Sequence, residues 1–269
     1  MKECDDMAKW ERIAAEWREK IHSGEIEPGK RLPNEQQMKA DYEVSLPVVR
    51  QALDTLEAEG LVDRRHGRGT FVRAPRQRVR RSPERYQWEK DRARLPESQR
   101  RRTGATERDT GLTMQDLEFS AEYRTVPASA DLARLFGVPV GAKMLERVYR
   151  TSSRKERVPL SLNTSYMVYD VVAENPALID AHNEPWPGGT QNQLFTIGIE
   201  LDRIVDEITA RPPSADEAEA LKLPPGVSVL ILRKISIDTK DCVVEVSNVV
   251  LPGDRTEFVY TTKLTRWSE

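Results

Sequence analysis

Two groups of side chains in this sequence are suited to gripping a charged, hydrogen-bonding polymer. The first is Ser45-Leu46-Pro47 with Arg50 and Gln51, and Asn34 and Gln36 stand shortly before it. The second is the run Arg65-His66-Gly67-Arg68-Gly69-Thr70. Arginine and glutamine at the exposed leading end of a helix can reach base edges or phosphates. Arginines on a glycine-bearing loop can bring charge to phosphates or into a minor groove. Catalytic chemistry is harder to find. His22, His66 and His182 lie in different regions with no nucleophile beside them, and Cys4 and Cys242 have no metal-ligand spacing. There is no Walker loop and no metalloprotease string. The expectation is no catalytic residue, no metal and no cofactor.

Those side chains need elements to hold them. Pro33 stops whatever precedes it; Asn34 can cap a helix, and Gln37 sits where a capping-box partner belongs. Residues 41–44 suffice for a turn, and Ser45 offers a second cap. In the helix that follows, Val49, Ala52, Leu53 and Leu56 recur at helical spacing and should face a core. Leu46, Pro47, Arg50, Gln51 and Asp54 lie on its other faces. Pro47 is compatible with a first helical turn, whose N–H groups lack intrahelical partners. An earlier helix over 7–23 carries an apolar stripe of Trp10, Ile13, Ala14, Trp17 and Ile21, ended by Gly24. Past Gly60 the pattern predicts strands over 61–64 and 70–73 joined by the loop 65–69, with Arg64, Arg65, Arg68 and Arg73 supplying charge. This is the order of a helix-turn-helix with a wing. A small helical domain with a polar hairpin would read the same way.

The exact residue string separates the two. Ile21, Gly24, Pro28-Gly29, Leu32-Pro33, Glu35, Val44-Ser45, Val49-Arg50, Ala52-Leu53, Leu56, Glu59-Gly60-Leu61-Val62 and Gly67 to Val72 together resemble the DNA-binding domain of the GntR family of bacterial transcriptional regulators. The resemblance covers about the first quarter of the chain. Leu46 departs from it, standing where the family usually has a DNA-contacting arginine, and Gln36 takes a position that is arginine in some members. Both departures imply an operator different from the usual family site.

Composition fits this once charge is divided along the chain. The 269 residues suggest two domains. The net charge is −2, but residues 76–102 hold eleven basic against four acidic side chains. Such a segment is usually a solvated connector. Following a wing, it could also bring Arg76, Arg78, Arg80 or Arg81 to phosphates, with a helical turn over 83–94 and Tyr86 and Trp88 docked somewhere. No apolar signal region opens the sequence and no apolar run is long enough for a bilayer, so a cytoplasmic bacterial protein is expected. The boundaries read as 1–75 for the DNA-binding domain, 76–103 for a basic linker and 104–269 for an α+β domain.

In that last domain the pattern predicts strands over 117–126, 144–151, 159–168, 203–211, 227–237, 242–251 and 257–264. Short helices fall over 128–136, 175–180, 191–199 and 214–221. The residues 123–128, 132–135, 138–141, 206–211, 223–227 and 244–246, with Arg147, resemble the effector-sensing UTRA domain of the HutC subgroup of the same family. The string Pro185-Trp186-Pro187-Gly188-Gly189-Thr190 is shared with versions in actinobacterial regulators, some on mobile plasmids. The resemblance implies a six-stranded antiparallel sheet of chorismate-lyase-like fold that binds a metabolite and pairs with a second copy. It implies an effector site at Arg147, Tyr149, Asn163, Tyr166, Glu245 and Asn248. Tyr149 replaces a second arginine of amino-sugar-phosphate sensors, and Asn163 and Asn248 replace acidic residues that hold sugar hydroxyls. The site is therefore unsuited to a sugar phosphate bound in the usual way. Arg147 could clamp a carboxylate or phosphate, or form a structural ion pair with Glu245. Gly188-Gly189 could cradle an anion or form a plain turn.

The reading is a DNA-binding repressor acting as a homodimer on a palindromic operator and responding to a small effector, for which an anion is a candidate. A constitutive DNA binder without ligand, and a lyase-like enzyme by fold analogy, are the alternatives.

Overall fold

The computed structural model describes residues 7–74, 76, 78–155 and 158–266. Cys4 and Pro75 lie outside them, and Cys242 is an exposed free thiol. The chain forms two compact units: residues 1–77 with 212–218 and 223–228, and residues 78–211 with 219–222 and 229–269.

The first unit is built on three helices, α1 (Lys9–His22), α2 (Glu35–Asp41) and α3 (Leu46–Ala58), and a hairpin of β1 (Val62–Arg65) and β2 (Gly69–Val72). The apolar stripes converge on one core: Ile13, Ala14 and Trp17 of α1, Met38 of α2, Val49, Ala52, Leu53 and Leu56 of α3, and Val62 and Val72 of the hairpin. The predicted capping box closes α2. Asn34 Oδ1 accepts from the Gln37 N–H and Gln37 Oε1 accepts from the Asn34 N–H, both at 2.9 Å. Asn34→Ala removes a cap of this kind and should cost about 1 kcal/mol, read as a lower urea midpoint at unchanged slope. Ser45 holds the N-cap position of α3, but its side chain makes no capping bond. The strands pair from Val62↔Val72 to Arg65↔Gly69, and Arg31 bridges Phe71 on the outer side.

The second unit contains the sheet the resemblance implies. Its elements are β3 (Val79–Arg81), α4 (Glu84–Ala93), α5 (Glu97–Arg100), α6 (Ala105–Thr110), β4 (Leu117–Pro127), α7 (Ala130–Phe136), β5 (Lys143–Ser153), β6 (Val158–Val168), α8 (Tyr169–Val172), α9 (Gly189–Phe195), β7 (Leu201–Arg211), α10 (Ala215–Ala220), β8 (Val229–Asp238), β9 (Val243–Pro252) and β10 (Thr256–Phe258). Six strands run antiparallel in the order β4-β5-β6-β9-β8-β7. On one face α7 packs over Met144, Ile235 and Val246; on the other, Leu145 and Met167 meet Val172 and Leu194. The predicted strand over 257–264 is shorter than expected. Only β10 forms, and residues 259–266 extend without a ladder partner among the described residues.

The expected linker is not a connector. From residue 78 the chain is part of the second unit, entering it through β3, which pairs in parallel with β10 at Val79↔Thr256 to Arg81↔Phe258. Helix α4 is then bound down by polar contacts. The Tyr86 hydroxyl donates to the Asp206 carboxylate at 2.9 Å, Gln191 Nε2 reaches the Tyr86 carbonyl at 2.8 Å, and Asn192 Nδ2 reaches the Ala93 carbonyl at 2.6 Å. The Arg92 and Arg108 guanidinium groups both lie against the Trp88 ring, at 4.7 and 4.9 Å from its centre. Part of the charge in this segment is thus used in docking, while Arg78, Arg80, Arg94 and Arg102 remain exposed.

Candidate DNA-binding surface and effector cavity

Because α3 buries Val49, Ala52, Leu53 and Leu56, its remaining faces carry Pro47, Arg50, Gln51 and Asp54 to the surface, with Ser45 exposed at its start and Leu46 half-buried. Arg50 is held by Glu35 of α2 at 2.7 Å, yet its side chain remains 58% exposed. Asn34 and Gln36 are exposed at the start of α2. In the hairpin, the Arg68 N–H closes a turn onto the Arg65 carbonyl at 2.8 Å, and Gly67 takes the positive φ of 68° that this turn needs. Arg65, His66 and Arg68 are exposed at the tip, with Gly69 and Thr70 half-buried behind them. Arg65 stacks on Phe71 at 4.5 Å, which fixes its direction without neutralising it.

The four hairpin arginines divide into two kinds. Arg64 pairs with Asp54 at 2.6 Å and Arg73 with Asp63 at 2.9 Å, so these two brace the hairpin. Arg65 and Arg68 have no carboxylate partner among the described residues. Sequence reasoning missed Arg31. Its side chain lies across the hairpin so closely that a Cβ on Gly69 would sit 2.6 Å from its Nε. Periodicity gives no hint of this, since Arg31 joins the hairpin through a single bridge.

In the second unit, the face of the sheet opposite α7 floors a cavity of about 980 Å³. Its walls are α4, the segment leading into α6, the loop 182–188 and the start of α9. Tyr149 and Asn163 line it, as do Lys234 and Ser247 from β8 and β9. Arg147 lies beneath its floor, 1% exposed. Its Nη2 reaches Glu245 Oε1 at 2.7 Å and Ser165 Oγ at 2.8 Å, and its Nη1 reaches Gln193 Oε1 at 2.7 Å. The other Glu245 oxygen faces Lys234 Nζ at 2.9 Å. Burial alone would raise the Glu245 pKa, but Lys234 and Arg147 outweigh it and hold the group at about 2. Of the two readings of Arg147, the geometry is that of the ion pair.

Tyr166 and Asn248 do not join this cluster. Tyr166 donates to Glu146 at 2.9 Å, and Glu146 is paired with Arg124. Asn248 accepts from Arg233 at 3.2 Å, and Arg233 pairs with Asp131 of α7 at 2.9 Å. Both therefore stand on the α7 face, away from the cavity. The signal was available in the spacing: 163 and 166, like 245 and 248, differ by an odd number and fall on opposite faces of a regular strand. What the reading missed lies around Glu184. Its carboxylate accepts from the Tyr123 and Tyr149 hydroxyls at 2.5 and 3.0 Å and from Gln193 Nε2 at 2.9 Å. Gln193 so links Glu184 to Arg147. The Gly188-Gly189 pair forms a turn into α9, and a Cβ on Gly188 would collide with the Arg100 side chain at 2.8 Å. Of the basic residues after the hairpin, Arg78 and Arg80 are exposed while Arg81 turns into the cavity wall.

Residues 9–72 match the bacterial regulatory proteins of the gntR family, and residues 120–257 match the UTRA domain. An uncharacterised HTH-type transcriptional regulator of Streptomyces coelicolor is 31% identical over 257 residues, spanning 95% of this chain and 93% of its own. The chain belongs to the GntR family. The HTH-type transcriptional repressor NagR of Bacillus subtilis is 23% identical, spanning 93% of this chain and 92% of its own. A crystal structure of a GntR-family transcriptional regulator shares the fold, with a TM-score of 0.65 at 24% identity over 97% of this chain and 99% of its own. The protein is a transcriptional regulator with a DNA-binding helix-turn-helix and a UTRA effector domain. Relatives across the family are regulators and not enzymes, which sets the lyase reading aside. Among the described residues no helix is long and apolar enough to cross a membrane.

Proposed function

We propose that the chain is a cytoplasmic repressor that binds a palindromic operator as a homodimer and is released or retuned by a small molecule held in the UTRA cavity. The observation that carries this reading is the pairing, in one chain, of two features. One is an exposed α3 edge beside the uncompensated Arg65 and Arg68; the other is an open, polar cavity in the regulatory domain. Arg50 and Gln51 are assigned to base or phosphate contact, with Asn34, Gln36, Ser45, Leu46 and Pro47 around them and Arg31 added from beside the hairpin. Two-fold protein symmetry would map two such surfaces onto two half-sites. The effector would act by favouring an arrangement in which the two α3 helices no longer match the half-site spacing, which requires different affinities for the two states.

A constitutive regulator without ligand is less well supported. Side chains would then be expected to fill the cavity, and about 980 Å³ remains open. The test is the mass of the complex between the full chain and a selected duplex, together with a reporter driven by that duplex. Two chains per duplex and lowered expression are expected. One chain per duplex, or raised expression, would contradict the dimeric repressor.

A further inference from the structure

The charges around the cavity are unequal. Seven arginine or lysine side chains line it against three glutamates, so the cavity favours an anion. Six of the seven already have partners. Arg85 faces Asp109 and Glu89, Lys234 faces Glu245, and Arg101 faces Glu97. Arg92, Arg100 and Arg154 are bound to main-chain carbonyls. Arg81 differs. Its guanidinium has no hydrogen-bond or ion-pair partner among the described residues, and its Nε is sealed from solvent. Burial, with the charge of Arg85 close by, holds its pKa down to about 10, so it is still a cation near neutral pH. On the floor of the same cavity, Asn163 Oδ1 is also buried without a partner. Unsatisfied polar atoms in a cavity wall are costly unless something binds there. Tyr86, Trp88, Phe119 and Trp186 give the walls flat apolar surface.

We propose that the effector is a small molecule bearing one acidic group on a flat apolar body, and that Arg81 binds the acidic group while Asn163 takes a donor from the other end. This rests on the ligand-responsive reading above. Arg81 ends β3, the strand through which the chain enters the second unit a few residues after its boundary at 78. A ligand on Arg81 is therefore sensed by the stretch of chain that follows the DNA-binding unit, rather than by the Arg147–Glu245 pair, which lies beneath the cavity floor.

The test uses the full chain and two fluorescent probes with similar ring systems: anilinonaphthalene sulfonate, which is anionic, and phenylnaphthylamine, which is neutral. Arg81→Gln removes a charge that no carboxylate bonds directly, although Asp109 and Glu89 lie near enough to act on it, so the variant should fold, as checked by circular dichroism and cooperative unfolding. The expected result is that Arg81→Gln weakens the sulfonate probe about 10- to 100-fold, the range for a lost charge-assisted bond. Arg81→Lys should restore part of the loss, and the neutral probe should be unaffected. Hydrogen exchange over residues 79–93 should slow with the sulfonate probe in the parent and not in Arg81→Gln. Sulfonate binding that is unchanged in Arg81→Gln overturns the assignment of Arg81 and leaves the effector cavity standing. If neither probe binds the folded parent, both this assignment and the ligand-responsive reading fail.

Discussion

Glu245→Ala is expected to lower the stability of the second unit by about 3–5 kcal/mol, the cost of leaving a buried partner charge uncompensated. Glu245 is 2% exposed and sits between Arg147 and Lys234, while also accepting from Ser165 and Ser236. Removing it strands a guanidinium that is 1% exposed and already has one unsatisfied nitrogen, Nε. Arg147→Ala should cost less when Glu245 is already absent than when it is present, so the double variant should be far from additive. Additive losses in a denaturant series would mean that the two groups do not act as a pair. The pH dependence has a definite sign. The folded pKa of Glu245, about 2, lies below its ordinary value of 4.5. Its contribution is therefore complete above pH 4.5 and fades as pH falls toward 2. Glu245→Gln should flatten that part of the acid-unfolding curve.

Arg50→Ala is expected to weaken operator binding by about 1–3 kcal/mol at fixed salt. The side chain is exposed at the leading part of α3 and is oriented, not consumed, by Glu35. If Arg50 reads a base, discrimination at one operator position should relax. If it contacts a phosphate, affinity should fall evenly across sequences and the salt slope should shrink by about one. Unchanged affinity would remove Arg50 from the interface. Glu35→Ala offers a second view, because it frees Arg50 from its ion pair while leaving its charge in place. It should leave the salt slope unaltered.

Local signals explain why so much of the first unit was legible. The Asn34–Gln37 box, the four-residue core stripe of α3 and the two-strand pattern around a glycine-bearing turn are all encoded within a few residues of the atoms they organise. The six-stranded sheet was legible in the same way, one strand at a time, with the resemblance supplying their number. What could not be read was non-local. Strand β3 exists only because β10 offers it an edge from residues 256–258, and nothing near Val79 signals that. Composition therefore made 76–103 look like a solvated linker. Several of its arginines instead stack on Trp88, bind carbonyls or line the cavity, while Arg78, Arg80, Arg94 and Arg102 stay exposed. The effector positions carried over at Tyr166 and Asn248 failed for a different reason. A resemblance transfers residue positions, but only strand parity decides which face they occupy. Arg147 and Glu245 share a face and a bond; Tyr166 and Asn248 are on the other side.

The central claim is that this chain reads an inverted repeat as a dimer. Its most direct test is selection by the full-length protein from a library of random duplexes at physiological salt, with the retained duplexes sequenced. The account predicts enrichment of a two-fold inverted repeat with a fixed spacing between its halves. Enrichment of an isolated half-site, or of no sequence at all by a folded protein, would contradict it.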